Sequence, residues 1–398
     1  MQTNTEQMNA SETFCPNAAC IARGKIGQGN IVIHGRKRPR YKCKTCGRTF
    51  SAKEGTMFAG LRKPTALIVI VVTLLAYGCP LQAIVHAFEL DERTVAHWRD
   101  RAGSHCEKVH QDKIEQGKLD MIHVQADEIW VKARGTIAWM GLAIMVPTRL
   151  WVAGVVSQTR DRNLADHLLQ QVRSASKTLC DLLICTDGWS PYPNSIKRFF
   201  REKIKRAGKR GRCSLEVWPG LHIGTVIKHT VNKHLKEVTR QMSYGNREQA
   251  MKLLVISNGG IMLNTSFIER FNGTLRERLA SLTRKCRHAS EKLFAFHTGM
   301  YLIGCTYNFC WYHHELSKSS EKGGLGMPCT PAMASGLTDH QWSIFELLSY
   351  KVAPPPLPIP KRRGRSPTKP LLDPSRPKLT SERPRVRLRK GALCSTTG

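Results

Sequence analysis

Acidic residues are scarce in this chain. Across 398 residues, Asp and Glu number 30 against 62 Lys and Arg, which leaves a formal charge of +32 and a pI near 10.0. Such an excess points to a polyanionic partner, with nucleic acid the first candidate. A membrane surface is second, but no lipidation motif accompanies it. Long apolar runs are also missing. The most apolar stretch, residues 66–77, has about twelve residues, whereas a bilayer span needs ~20, so a buried helix is expected there. The N-terminus, MQTNTEQMNASETF, is polar and lacks a signal-peptide pattern. The spacing of a disulfide framework is absent as well. Of 14 cysteines, four sit early in two pairs and the rest scatter singly. That usage predicts a metal site and reduced thiols in a cytoplasmic protein; with no lipidation motif and no apolar run of spanning length, no membrane partner is expected.

What is present begins with those pairs. Cys15 and Cys20, then Cys43 and Cys46, read as CPNAAC…YKCKTCGRTF. Four thiolates suit tetrahedral Zn2+, and a two-residue spacer followed by Gly47 lets Cys43 and Cys46 face one ion. The loop between the pairs carries Arg36, Lys37, Arg38 and Arg40 and is a candidate for phosphate contact. Three helical segments follow. A Gly78-Cys79-Pro80 break ends the first, and Asp91 is placed to cap the third. In DERTVAHWRDRA, Val95 and Trp98 would pack inward while Arg93, Thr94, His97 and Arg101 face out. Two short helices with a tight turn, the second capped and basic, resemble a helix-turn-helix.

From residue 120 the pattern changes. MIHVQADEIW alternates, and strand-like runs follow at 136–146, 150–158, 182–185 and 215–218, with a helix at 163–174. That order predicts a mixed α/β sheet with helices packed on it. Asp127 is expected at the end of the first strand and Asp187 at the end of the fourth, where sites gather in such sheets. Residues 198–236, with Cys213 and the histidines at 222, 229 and 234, read as a basic surface. Trp130 and Trp189 follow the two aspartates and suit either core packing or base stacking. Residues 293–309 read as a core helix.

Residues 264–287, NTSFIERFNGTLRERLASLTRKCR, are expected to form one long helix. Ile268, Phe271, Leu275, Leu279 and Leu282 make an apolar stripe. Glu269, Asn272 and Arg276 share a different face, acidic at its start and basic beyond, which suits a place where metal and phosphate meet. Ser266 and Glu269 also have the spacing of a capping box, so both readings stand. From residue 353 the chain is Pro-rich and basic, a composition that builds no core and suits a DNA-tethering tail.

Taken together, CPNAAC…YKCKTCGRTFSAKEGT, the helical trio, ADEIW, TDGWSPY, NTSFIERFNGTLRERLASLTRK and TPAMASGL resemble bacterial DDE transposases of the insertion-sequence-one type, over residues 13–340. The resemblance implies an RNase H-like mixed sheet with flanking helices, preceded by a small zinc ribbon and a helix-turn-helix. The expected layout is a disordered 1–12, a ribbon at 13–58, a helix-turn-helix at 62–104, a polar, helical connector at 105–119, a catalytic domain at 120–340 and a disordered tail at 353–398. By motif position, Asp127, Asp187 and Glu269 match the family's metal-binding triad for Mg2+ or Mn2+, and Asn272 and Arg276 would flank the scissile phosphate. The implied partners are double-stranded DNA, as terminal inverted repeats and as target, and further copies of the chain on paired ends at the nucleoid. A DNA-binding regulator or decayed copy that binds without cutting is the alternative.

Overall fold

The structure, a computed structural model, describes residues 9–35, 40–133, 136–204, 213–232, 234–279, 282, 293–317, 327–355 and 357. Arg36, Lys37 and Arg38 lie outside the described residues, as do residues 1–8 and the expected tail from 358 onward.

Three short strands, β1 (Ile31–Gly35), β2 (Arg40–Cys43) and β3 (Thr49–Ser51), form an antiparallel sheet in that order. Ile31, Tyr41 and Phe50 pack with the early cysteines into a small separate core. The helices α1 (Thr65–Ala76), α2 (Leu81–Phe88) and α3 (Glu92–Lys113) follow. Gly78, at φ +83, and Pro80 break α1 from α2. The Asp91 carboxylate caps α3 by accepting the Thr94 N–H at 3.2 Å. The expected break near residue 102 is absent: α3 runs on to Lys113, so the third helix and much of the connector, itself expected to be helical, are one element. Its second half buries Ala102, Cys106 and Val109 beside α8 (Leu293–Cys305). Gly103 makes that approach feasible: a Cβ there would stand 2.1 Å from the Thr298 carbonyl oxygen.

The central sheet has six strands. In chain order they are β4 (Ile122–Ala133), β5 (Thr136–Met145), β6 (Leu150–Ser157), β7 (Leu182–Asp187), β10 (Leu221–Val231) and β11 (His234–Tyr244). In space they run β11-β10-β7-β4-β5-β6. The pairs β4·β5 and β5·β6 are antiparallel, β4·β7 and β7·β10 parallel, and β10·β11 antiparallel. A meander of three strands with two parallel strands added beside its first fits an RNase H-like domain. Helix α4 (Arg162–Ala175) joins β6 to β7, and α5 (Pro191–Phe199) follows β7; α6 (Arg247–Ile256) and α7 (Ser266–Arg278) follow β11.

The expected strand at 215–218 is not in this sheet. It is β9 (Ser214–Val217), which among the described residues pairs with β8 (Arg201–Ile204) alone. The strand beside β7 is β10, inside the stretch read as basic surface. Its first half is buried and its second half polar and exposed, because pairing with β7 stops at Asp187↔Val226 and the rest pairs with β11 alone. His222 is buried there and accepts the Asn246 N–H on Nδ1 at 3.0 Å.

On the outer edge of β6, the Asn308 side chain pairs both the N–H and the carbonyl of Trp151, at 2.9 and 2.8 Å. Asn308 lies in a π-helical turn, Thr306–Cys310, that extends α8. The chain then passes α9 (Pro331–Ala334) and α10 (Ile344–Ser349). Beyond the expected boundary at 340 it returns to the N-terminal region. The Met57 N–H donates to the Leu348 carbonyl at 3.0 Å, and the rings of Phe58 and Phe345 stack at 6.0 Å. Met1–Pro356 is one compact unit. Among the described residues no helix is long and apolar enough to cross a membrane.

Candidate active site

Asp127 lies within β4 rather than after it. Pairing between β4 and β7 stops at Ala126↔Thr186, so Asp127 stands one residue past the end of the parallel pairing. Asp187 is the last residue of β7. Its Oδ1 accepts the Trp189 N–H at 3.0 Å, which turns the chain toward α5. The two aspartates therefore meet where adjacent parallel strands end.

Glu269 arrives on α7. That helix is shorter than expected: it ends at Arg278, where Leu279 turns extended at ψ 99, and residues 280–281 and 283–287 lie outside the described residues. Nor does Ser266 form a capping box, since its hydroxyl donates to Asn264 Oδ1 instead. The buried Gln125 of β4 does that work. Its Oε1 accepts the N–H groups of Phe267 and Ile268 at 2.9 and 3.1 Å, and its Nε2 donates to the Asn264 carbonyl at 2.9 Å. One amide thus satisfies two of the orphan donors of the helix start, Asn264 Oδ1 taking the Ser266 N–H, and ties α7 to the strand bearing Asp127. The alternation in MIHVQADEIW marked Gln125 only as a polar position.

The cleft so formed measures ≈ 610 Å³ and is lined by Asp127, Asp187, Glu269, Arg160, Lys228 and Trp189, among others. Carboxylate oxygens of Asp127, Glu128 and Asp187 lie within 4.8 Å of one another. Glu269 is set apart from them: its Oε1 takes the Lys228 ammonium and the Thr265 hydroxyl, each at 2.5 Å. Burial, helped by the charges of Glu128 and Asp187, pushes the Asp127 carboxyl up to about 7. Burial also raises Asp187, against the Trp189 N–H and the charges of Arg160 and Lys228. Burial thus disfavours the ionised form of both aspartates, a cost that a cation would relieve. Their carboxylates, hard, all-oxygen and open to the cleft on one side, fit a divalent cation such as Mg2+.

Two expected phosphate contacts are placed differently. Asn272 is buried, and its Nδ2 donates to Asp127 Oδ2 at 2.9 Å, so it orients the aspartate instead of meeting solvent. Arg276 is not among the described residues lining the cleft. Trp189 is half-buried at the cleft, while Trp130 is 50% exposed. Sequence reasoning passed over Arg160, Lys228 and Gln125. Lone basic residues in a chain this basic carry no signal.

At the N-terminus, Cys15 Sγ lies 3.6 Å from Cys46 Sγ, and Cys20 Sγ 4.0 Å from Cys43 Sγ. All four sulfurs fall within 4.8 Å of one another. A tetrahedron with Zn–S arms of ~2.3 Å has edges of roughly 3.8 Å, so the cage has the size of a Zn2+ site and not of disulfides. Burial raises the Cys15 and Cys20 thiols, while contacts from Asn17 and the Arg48 backbone lower Cys46 to about 6. Arg40 is exposed and bonds Thr49 at 2.9 Å. On α3, Arg93 and His97 are exposed and Thr94 half-buried. Arg101 does not face out: its guanidinium donates to the backbone carbonyls of Met57 and Ala59.

Residues 121–213 match the family model of the DDE domain of IS240-type transposases. The matched stretch carries Asp127, Arg160 and Asp187; Glu269 lies beyond it. No curated protein matches the chain. A DDE-domain match over β4 to β8, on a sheet of RNase H-like order with two acids where its parallel strands end, supports a DDE transposase.

Proposed function

We propose that this chain is the transposase of an insertion sequence, of the insertion-sequence-one type. It binds terminal inverted repeats as an assembly on paired ends, cleaves the strand with Mg2+ and joins the 3′-hydroxyl to target DNA. The observation that carries this reading is the arrival of Asp127, Asp187 and Glu269 in one cleft from β4, β7 and α7. These three carboxylates would hold the ions. When bound, divalent metal supplies an activated water or hydroxyl and relieves charge on the scissile phosphate and leaving oxygen. Asn272 fixes the rotamer of Asp127, and Gln125 fixes the helix that carries Glu269. Lys228 neutralises Glu269 and would have to release it for Glu269 to hold an ion.

The four-cysteine cage is read as a structural zinc ribbon. With the exposed Arg40, Arg93 and His97 it forms the DNA-reading part, in which α2 and α3 serve as the helix-turn-helix. Elemental analysis should find one zinc per chain and none after Cys43→Ser. Loss of zinc without any change in the circular-dichroism spectrum would count against a role in folding.

The direct test is a cleavage assay. The protein and its Glu269→Gln variant are each given Mg2+ and the DNA flanking the gene. Cuts at the element ends by the parent alone are expected. Equal cutting by both would remove Glu269 from the site, and binding without cutting by either would favour the regulator or decayed copy.

A further inference from the structure

The cleft holds a cation that the triad does not explain. Arg160 lies between β6 and α4, and its Nε bonds Glu128 Oε1 at 2.5 Å. Its Nη2 also meets Glu128 Oε1 and reaches Asp187 Oδ2 at 3.4 Å. The guanidinium sits against the rings of Trp139 and Trp189, at 5.1 and 4.8 Å from their centroids. The other oxygen of Glu128 accepts the hydroxyl of the fully buried Tyr192 at 2.8 Å.

The exposures decide what this arrangement is for. The Glu128 side chain is 1% exposed and that of Arg160 34%. Burying a carboxylate is costly unless it is fully paired, and here both oxygens are taken. Glu128 is thus poorly suited to ligate metal, although it lies beside the two aspartates. It is an anchor, and what it anchors is a half-exposed guanidinium at the mouth of a cleft. A guanidinium has five N–H donors in a rigid fork matched to phosphate geometry. The weakest of its contacts, to Asp187, is the one that a metal ion on Asp187 would replace.

We propose that Arg160 holds a backbone phosphate of the DNA strand in this cleft, aimed by the buried pair Glu128 and Tyr192, and that Glu128 is a positioning residue and not a metal ligand. This rests on the transposase reading above and names a further contact of the same site. Arg160→Ala alone would strand a buried carboxylate, so the test uses the double variant Arg160→Ala with Glu128→Gln, beside Arg160→Lys and Glu128→Gln.

Mn2+ affinity is measured without DNA by electron paramagnetic resonance, and DNA affinity across a salt series. The double variant should bind Mn2+ at least as tightly as the parent, since Asp187 loses a competing cation. Its log–log salt slope should fall by about 0.9, the share of one phosphate. Cleavage should fall about 10²- to 10³-fold. Arg160→Lys should regain the slope but not the rate, for want of the fork. Glu128→Gln should lower kcat and leave Mn2+ stoichiometry intact, whereas Asp187→Asn should abolish Mn2+ binding.

An unchanged salt slope in the double variant would overturn the phosphate contact. Loss of Mn2+ binding in Glu128→Gln would overturn the anchor role. In either case a parent that binds Mn2+ and cuts DNA leaves the transposase reading standing. A parent that neither binds Mn2+ nor cuts overturns both.

Discussion

Replacing Asp127 by Asn should stabilise the metal-free protein at neutral pH, although it removes a residue from the site. The carboxyl moves from an ordinary value of 3.8 to about 7 in the fold. A raised acid binds more protons folded than unfolded, so its cost is absent below about pH 4, grows as pH rises toward 7 and then levels off. Fully ionised, the shift corresponds to about 4 kcal/mol. Local relaxation trims this, and 2–4 kcal/mol is expected. An asparagine oxygen can still accept the Asn272 Nδ2 bond, so little packing is lost. With unfolding entropy near 2 cal/mol/K per residue, the gain is roughly 3–6 °C in Tm.

The assay is thermal unfolding of both proteins in chelator from pH 4 to 8, then with Mg2+ added at pH 8. The variant should gain over the parent as pH rises. Mg2+ should raise the parent's Tm and leave the variant's nearly unmoved. An offset equal at pH 4 and pH 8, or no offset at pH 8, would refute the argument that Asp127 stores electrostatic strain for a cation.

Other substitutions test the supports of the site. Gln125→Leu leaves the N–H groups of Phe267 and Ile268 unpaired, which should cost about 2–4 kcal/mol and lower Mn2+ affinity through displacement of α7; denaturant unfolding and metal titration would check this. Asn308→Leu strips both partners from the Trp151 backbone, at a similar cost, but lies away from the cleft and should leave Mn2+ affinity unchanged. Gly103→Ala should cost more than its helix propensity gains, because the added methyl meets the Thr298 backbone. Soluble yield and urea midpoint should both drop, and an unchanged midpoint would mean α3 and α8 are not so closely packed.

The chain's order of elements was largely legible, because period-two alternation and capping residues are local signals. Asp91 announces α3, and Thr186-Asp187-Gly188 announces the end of β7. The cysteine cage was legible too, since ligand spacing follows from the geometry of one small ion. That α3 runs unbroken into the helical connector was not: its second half is polar except for a stripe covered from elsewhere in the fold, by α8, α10 and β6. Strand β10 was hidden because its outer half, past the pairing with β7, is an exposed ribbon with β11 that carries Lys228 and His229.

The site divides in the same way. The three acids could be picked out by residue type and position, and their identity alone suits a hard cation. Their arrangement was decided by tertiary contacts. Gln125 caps a helix 142 and 143 residues away, Asn272 turns inward to Asp127, and Glu128 is withdrawn into pairs with Arg160 and Tyr192. Neighbouring acids 127 and 128 look equivalent in sequence. Burial and partners, which exist only once the sheet and its helices have met, make one a ligand candidate and the other an anchor.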